Sequence, residues 1–172
     1  DWEGLCKTGT KQSPIDIQLP YYTGEISLAL GRAARLTGDP ADLQAASAGL
    51  AHLVRRSLFQ NRYNFSAEHW TCQALEELWE RAPNPDALEF CLDHQTFNRM
   101  AAHSGVGHAP YGGGISLNPF APPRMAATGS RIEGAVATLA TARAAGRSPK
   151  ELAALDEGIR RALRFMLRYQ LT

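Results

Sequence analysis

A chain of 172 residues with 44% hydrophobic and 20% charged side chains has the size and composition of one globular domain. Its net charge of +1, with no Lys/Arg block, argues against a dedicated nucleic-acid surface. No run approaches the roughly 18 apolar residues that span a bilayer, so neither nucleic acid nor membrane is an expected partner.

Residues 1–20 carry Gly4, Gly9, Pro14 and Pro20, with Ile15 and Ile17 alternating with polar neighbours. This pattern predicts a short extended N-terminal arm. From Tyr21 a helical period takes over, and residues 21–172 read as one α/α-hairpin repeat domain. In the first hairpin, about 21–57, Ile26, Leu28, Ala29, Leu30, Ala33 and Leu36 are apolar nearly all round, predicting a helix buried on several sides. Thr37-Gly38 closes it. Asp39-Pro40-Ala41-Asp42-Leu43 then opens a second helix, with Leu43, Ala46, Leu50, Leu53 and Val54 on one stripe.

The second hairpin, about 66–102, repeats the plan. Ser66 is a candidate cap for a helix carrying Trp70, Ala74, Leu75, Leu78 and Trp79, and Asn84-Pro85-Asp86-Ala87-Leu88 opens its partner. Residues 103–123 hold five glycines, four prolines and two histidines without periodicity, predicting a long loop. The third hairpin, about 124–170, pairs a run of small and aliphatic residues (Ala126, Ile132, Val136, Leu139, Ala140) with an amphipathic helix opened by Ser148-Pro149-Lys150-Glu151-Leu152. Its apolar stripe is expected at Leu152, Leu155, Ile159, Leu163, Met166 and Tyr169.

The three helix openings share one chemistry: an oxygen acceptor at the N-cap, proline at N1 and leucine three residues on. Glu151 adds a capping box with Ser148. The first two prolines are 45 residues apart, which excludes a 34-residue tetratricopeptide period and leaves an open solenoid or a closed α/α toroid. First helices that are apolar all round, beside plainly amphipathic second helices, favour an all-α partial toroid with inner and outer rings.

Cys6, Cys72 and Cys91 make an odd count with no CxxC pair, so they are expected to be free. Unpaired cysteines tilt the expected compartment of this soluble chain toward the cytoplasm. His94, His103 and His108 fit no common zinc spacing, and no metal or cofactor is expected. Gly112-Gly113-Gly114 is not followed by Lys-Ser/Thr, so it is not a P-loop. The loop Gly105–Pro123 is instead a candidate lid, with Tyr111 and Phe120 available to cover a ligand.

The runs Tyr21-Tyr22-Thr23-Gly24-Glu25, Glu68-His69-Trp70 with Ala74-Leu75, and Ser130-Arg131-Ile132-Glu133-Gly134 resemble inner-helix openings of the six-hairpin α/α-toroid superfamily. That superfamily holds glycoside and uronyl hydrolases, polysaccharide lyases and sugar epimerases. The resemblance spans about residues 20–171 and supplies half a ring, implying a fragment or an incomplete ring. Separately, Trp2-x-x-Leu5-Cys6-x-Thr8-Gly9-x-x-Gln12-Ser13-Pro14-Ile15-Asp16-Ile17 is similar to the N-terminal segment of α-class carbonic anhydrases. No His-x-His zinc pair follows, so that activity is not expected.

In a toroid the first turns of the inner helices meet at one mouth. Tyr21, Tyr22 and Glu25 would join Glu68, His69 and Trp70, then Arg131 and Glu133. Aromatic rings stack on sugar faces, carboxylates accept hydroxyl hydrogen bonds, and arginine holds a uronate bidentately. Glu68 and Glu133 are the candidate acid/base pair and His69 a candidate proton-transfer group. Tyr21, Tyr22, Glu25, Trp70, Tyr111 and Arg131 are candidate substrate contacts. The expected function is therefore a carbohydrate-active domain, of hydrolase, lyase or epimerase type, binding an oligosaccharide or uronic acid. The alternatives are a non-catalytic helical-repeat interaction domain, or a truncated toroid that self-associates through exposed hairpin edges. First-turn glutamates are also favoured by the helix dipole alone.

Overall fold

The computed structural model describes residues 20–60, 69–116 and 121–170. These are all-α: six helices, α1 (Pro20–Thr37), α2 (Pro40–Gln60), α3 (Trp70–Leu78), α4 (Pro85–Ala101), α5 (Met125–Ala144) and α6 (Pro149–Gln170), with one 3₁₀ turn at Ala109–Tyr111 and no strand among the described residues. The arm at residues 1–19, the segment resembling carbonic anhydrase, Ser66 and Glu68 lie outside the described residues. Pro20, expected to end the arm, is instead the first residue of α1. Proline loses no intrahelical hydrogen bond there and its ring pre-sets the helical φ.

Local chemistry places the starts of α2, α4 and α6 where the sequence expects them. The Asp39 carboxylate accepts from the Ala41 N–H at 2.8 Å, and the Asn84 side chain accepts from the Ala87 N–H at 3.0 Å. Ser148 and Glu151 form the full reciprocal box: the Glu151 N–H donates to Ser148 Oγ at 3.3 Å and the Ser148 N–H donates to Glu151 Oε2 at 3.1 Å. Each bond satisfies a backbone donor that the first turn leaves without an intrahelical partner.

Consecutive helices pair as three antiparallel hairpins, α1/α2, α3/α4 and α5/α6. α1, α3 and α5 lie side by side as one layer; α2 and α4 lie against each other behind it, with α6 backing α5. One apolar core runs between the layers, through Leu28, Leu50, Val54, Leu75, Leu78, Leu88, Ala137, Leu155 and Ile159. Leu75 and Leu78 are fully buried, each removing an apolar side chain from water at a gain of about 2 kcal/mol.

Three sequence expectations change. First, Cys72 and Cys91 are not free: they form a disulfide, with Cα atoms 5.8 Å apart, that ties α3 to α4. The residues lie at similar distances on either side of the hairpin turn, so antiparallel packing sets them face to face within bonding range. The cytoplasmic preference, which rested on unpaired cysteines, loses its ground. Second, α1 is not buried on several sides. Among the described residues it packs mainly on α2 and α3, at the end of the layer, and Leu36 stands 80% exposed. Third, Leu163 and Tyr169 of the expected α6 stripe are exposed, while Ala162 and Phe165 are buried with Leu155 and Ile159. The buried stripe is turned toward Ala162 and Phe165 because the long loop packs there, with Gly113 on the Arg161 carbonyl and Gly114 against the Phe165 ring.

Candidate functional site

The side of the α1–α3–α5 layer that faces away from the second layer forms an open groove of about 990 Å³. Its α1 wall carries Leu28, Arg32 and Arg35; its α3 wall carries Trp70, Gln73, Glu76 and Glu77, continued by Trp79 and Glu80. Ile132, Val136 and Ala140 run along the α5 wall, one helical turn apart.

Two polar constellations sit in this groove. Glu77, with its carboxylate largely sheltered, is approached by Arg35 Nε at 2.8 Å, Arg81 Nη2 at 3.4 Å and Arg32 Nε at 3.9 Å, and so ties α1 to α3. Nearer the start of α3, Glu133 Oε2 lies 3.4 Å from His69 Nε2 and accepts from Gln73 Nε2 at 3.2 Å. The His69 ring packs on Trp70 with centroids 4.4 Å apart. Gly134 makes this junction: a Cβ there would come within 3.1 Å of His69 Cα, so a side chain would press the start of α3 away from α5.

The structure thus brings together three of the expected site residues, His69, Trp70 and Glu133. It separates Arg131 from them. Residues 131 and 133 are about 200° apart around a helix, and Arg131 lines a second cavity on the opposite side of α5, between α5, α4 and α6. Glu25 is exposed on α1, one turn before Leu28, and is not among the groove walls; nor is the exposed Tyr22. Tyr111 lies in the long loop, its ring edge-on to His108 at 4.1 Å and His103 at 5.8 Å, away from the groove. Glu68 and the side chain of Tyr21 lie outside the described residues, as does Phe120 of the candidate lid.

Arg131 belongs to a buried polar cluster that the sequence reading did not assemble. Arg131, His94, Gln95 and Asn98 are each no more than 4% exposed. Asn98 Nδ2 donates to Gln95 Oε1 at 3.3 Å. Burial lowers the Arg131 pKa to about 10, which leaves it charged at neutral pH. Burial, with a contribution from the nearby Arg131 charge, lowers the His94 pKa to about 4, so His94 is a neutral ring, stacked on Phe90 at 5.9 Å. Gln73 and Glu77 were missed too, although they follow Trp70 at three and seven residues, on one side of α3.

The chain matches no protein-family model, no curated protein and no solved structure.

Proposed function

We propose that the protein is a non-catalytic helical-hairpin interaction domain whose α1–α3–α5 groove receives an amphipathic helical segment of a protein partner. The observation that carries this reading is the apolar line Ile132–Val136–Ala140 on α5, open to solvent at Val136 (48% exposed) and faced by Trp70 and Trp79. Anchors at intervals of four residues, rimmed by Glu76, Glu80, Arg32 and Arg35, suit the helix-in-groove mode. Catalysis is not favoured at Glu133, whose carboxylate is 59% exposed in an open groove that does not exclude water. A photoreactive phenylalanine at position 136, in cells expressing the full chain, is expected to trap one discrete protein. The same probe at Arg160, exposed on α6 and outside the groove, should not, and Trp79→Ala should abolish the adduct. If instead the adduct persists in Trp79→Ala, the groove is not the docking surface. Self-association through an exposed hairpin edge, where Leu36 stands open at the end of α1, is a separate reading that does not use the groove, and concentration-dependent sedimentation is its readout.

A carbohydrate ligand, within the partial-toroid reading, is the second proposal. It is favoured by Trp70 beside His69 with Glu133 and Gln73 in reach, and by α1, α3 and α5 sharing one layer as inner helices would. A saturable change in tryptophan fluorescence with neutral or uronate oligosaccharides, lost in Trp70→Ala, would support it over the protein partner.

A further inference from the structure

The cavity on the other side of α5 has a different character from the groove. It holds about 220 Å³ between α4, α5 and α6, walled by Ile115, Ile132, Ala135, Leu155, Ile159 and Ala162. An apolar cavity of about 150 Å³ is enough for benzene, so this one has room for a ring and a small head group. Half of its polar lining residues are arginines. Arg131 lies buried in its wall, and Arg99 and Arg161 line it as well. The one acidic residue lining it, Glu157, is bonded to Arg164 at 3.0 Å, whereas Arg99 and Arg161 form no ion pair among the described residues.

Two glycines shape the opening. Gly158 lets the stem of Arg99 lie flat on α6, since a Cβ there would stand 3.0 Å from Arg99 Cγ and Cδ. Gly113, at φ +90°, packs its backbone on the Arg161 carbonyl and brings the long loop in as a wall; that conformation and that contact both exclude a side chain. Arg99 donates from Nη1 to the Ala154 carbonyl at 3.4 Å and from Nη2 to Thr96 Oγ1 at 3.5 Å, both neutral acceptors, so its guanidinium can turn to an incoming anion without breaking an ion pair.

We propose that this pocket binds a compact apolar anion, a carboxylate with a small aromatic or branched aliphatic body. The body fills the aliphatic chamber and the carboxylate meets the arginines, the arrangement expected of a ligand site with few placed polar groups in an apolar lining. The site is independent of the groove, because the two lie on opposite sides of α5 and share only Ile132.

The test is a fluorine NMR titration of the full chain with 4-fluorobenzoate and, as a neutral isostere, 4-fluorobenzamide. Saturable binding of the benzoate is expected, with the benzamide about tenfold weaker or more. Arg99→Ala combined with Arg161→Ala should weaken the benzoate several-fold and reduce its salt dependence. Ala135→Phe should abolish binding by filling the chamber; should that variant fail to fold, Ala154→Leu narrows the cavity from the α6 side and should weaken binding instead. Absence of saturable benzoate binding, equal binding of the two probes, or binding indifferent to the filling variants would overturn the proposal.

Discussion

Loss of the Cys72–Cys91 bridge is expected to cost about 3 kcal/mol of stability, or roughly 6–12 °C in melting temperature for a chain of this size. The bonded residues are 19 apart, so the bridge closes a loop of modest length and removes its closure entropy from the unfolded ensemble. The effect falls on the element least able to bear it. α3 has nine residues, too few to form an independent helix, and it is the central helix of the groove. Both cysteines are fully buried, so reduction also leaves two thiols in the core without repacking it. Thermal melts with and without reductant check this: the parent should be reductant-sensitive, and Cys72→Ser combined with Cys91→Ser should melt low in either condition. A parent whose melting ignores reductant under unfolding conditions would mean the bridge contributes nothing. Since α3 carries Trp70, Gln73 and Glu77, groove binding should fall together with stability.

Acidification should destabilise the fold through His94 by about 3 kcal/mol, with the loss spread between pH 6.5 and pH 4. The folded-state pKa of about 4 lies below the ordinary value of 6.5 that the unfolded chain shows. Between those values the unfolded state binds a proton that the native state refuses, so stability rises with pH across that window. Above pH 6.5 the contribution is complete, and below pH 4 it has been lost. The cause is first the burial of the ring and second the Arg131 charge beside it. Urea unfolding at pH 7, 6, 5 and 4 measures the slope. His94→Phe keeps an aromatic ring against Phe90 and removes the titration, so the extra slope between pH 6.5 and 4 should vanish. A slope unchanged in that variant would assign the acid sensitivity elsewhere.

How much of this was legible beforehand depends on the range of the interaction involved. Asp39, Asn84 and Ser148 act on backbone groups two or three residues away, so their helix starts could be read off the chain. The long loop could be read the same way, because Gly112–Gly114 and the prolines around it suit no helix. The candidate site was legible only in part. His69, Trp70 and Glu133 each stand near the start of a helix, and they meet because Gly134 lets α3 approach α5 there. Arg131 stands equally near the start of α5 and faces the other way. Linear proximity to Glu133 hid a half-turn of helix between them, and the apolar pocket that Arg131 lines draws its walls from three helices and a loop.

Local patterning alone therefore determined the all-helical class, the three hairpins and where α2, α4 and α6 begin, because caps, prolines and a 3.6-residue period act within a few residues. Packing decided the rest: which thiols meet, which side of α1 stays wet, and on which face of α5 each charged group lies. Those outcomes depend on how each helix is rotated about its axis and on which helix becomes its neighbour, and both are set by burying one shared core between two layers.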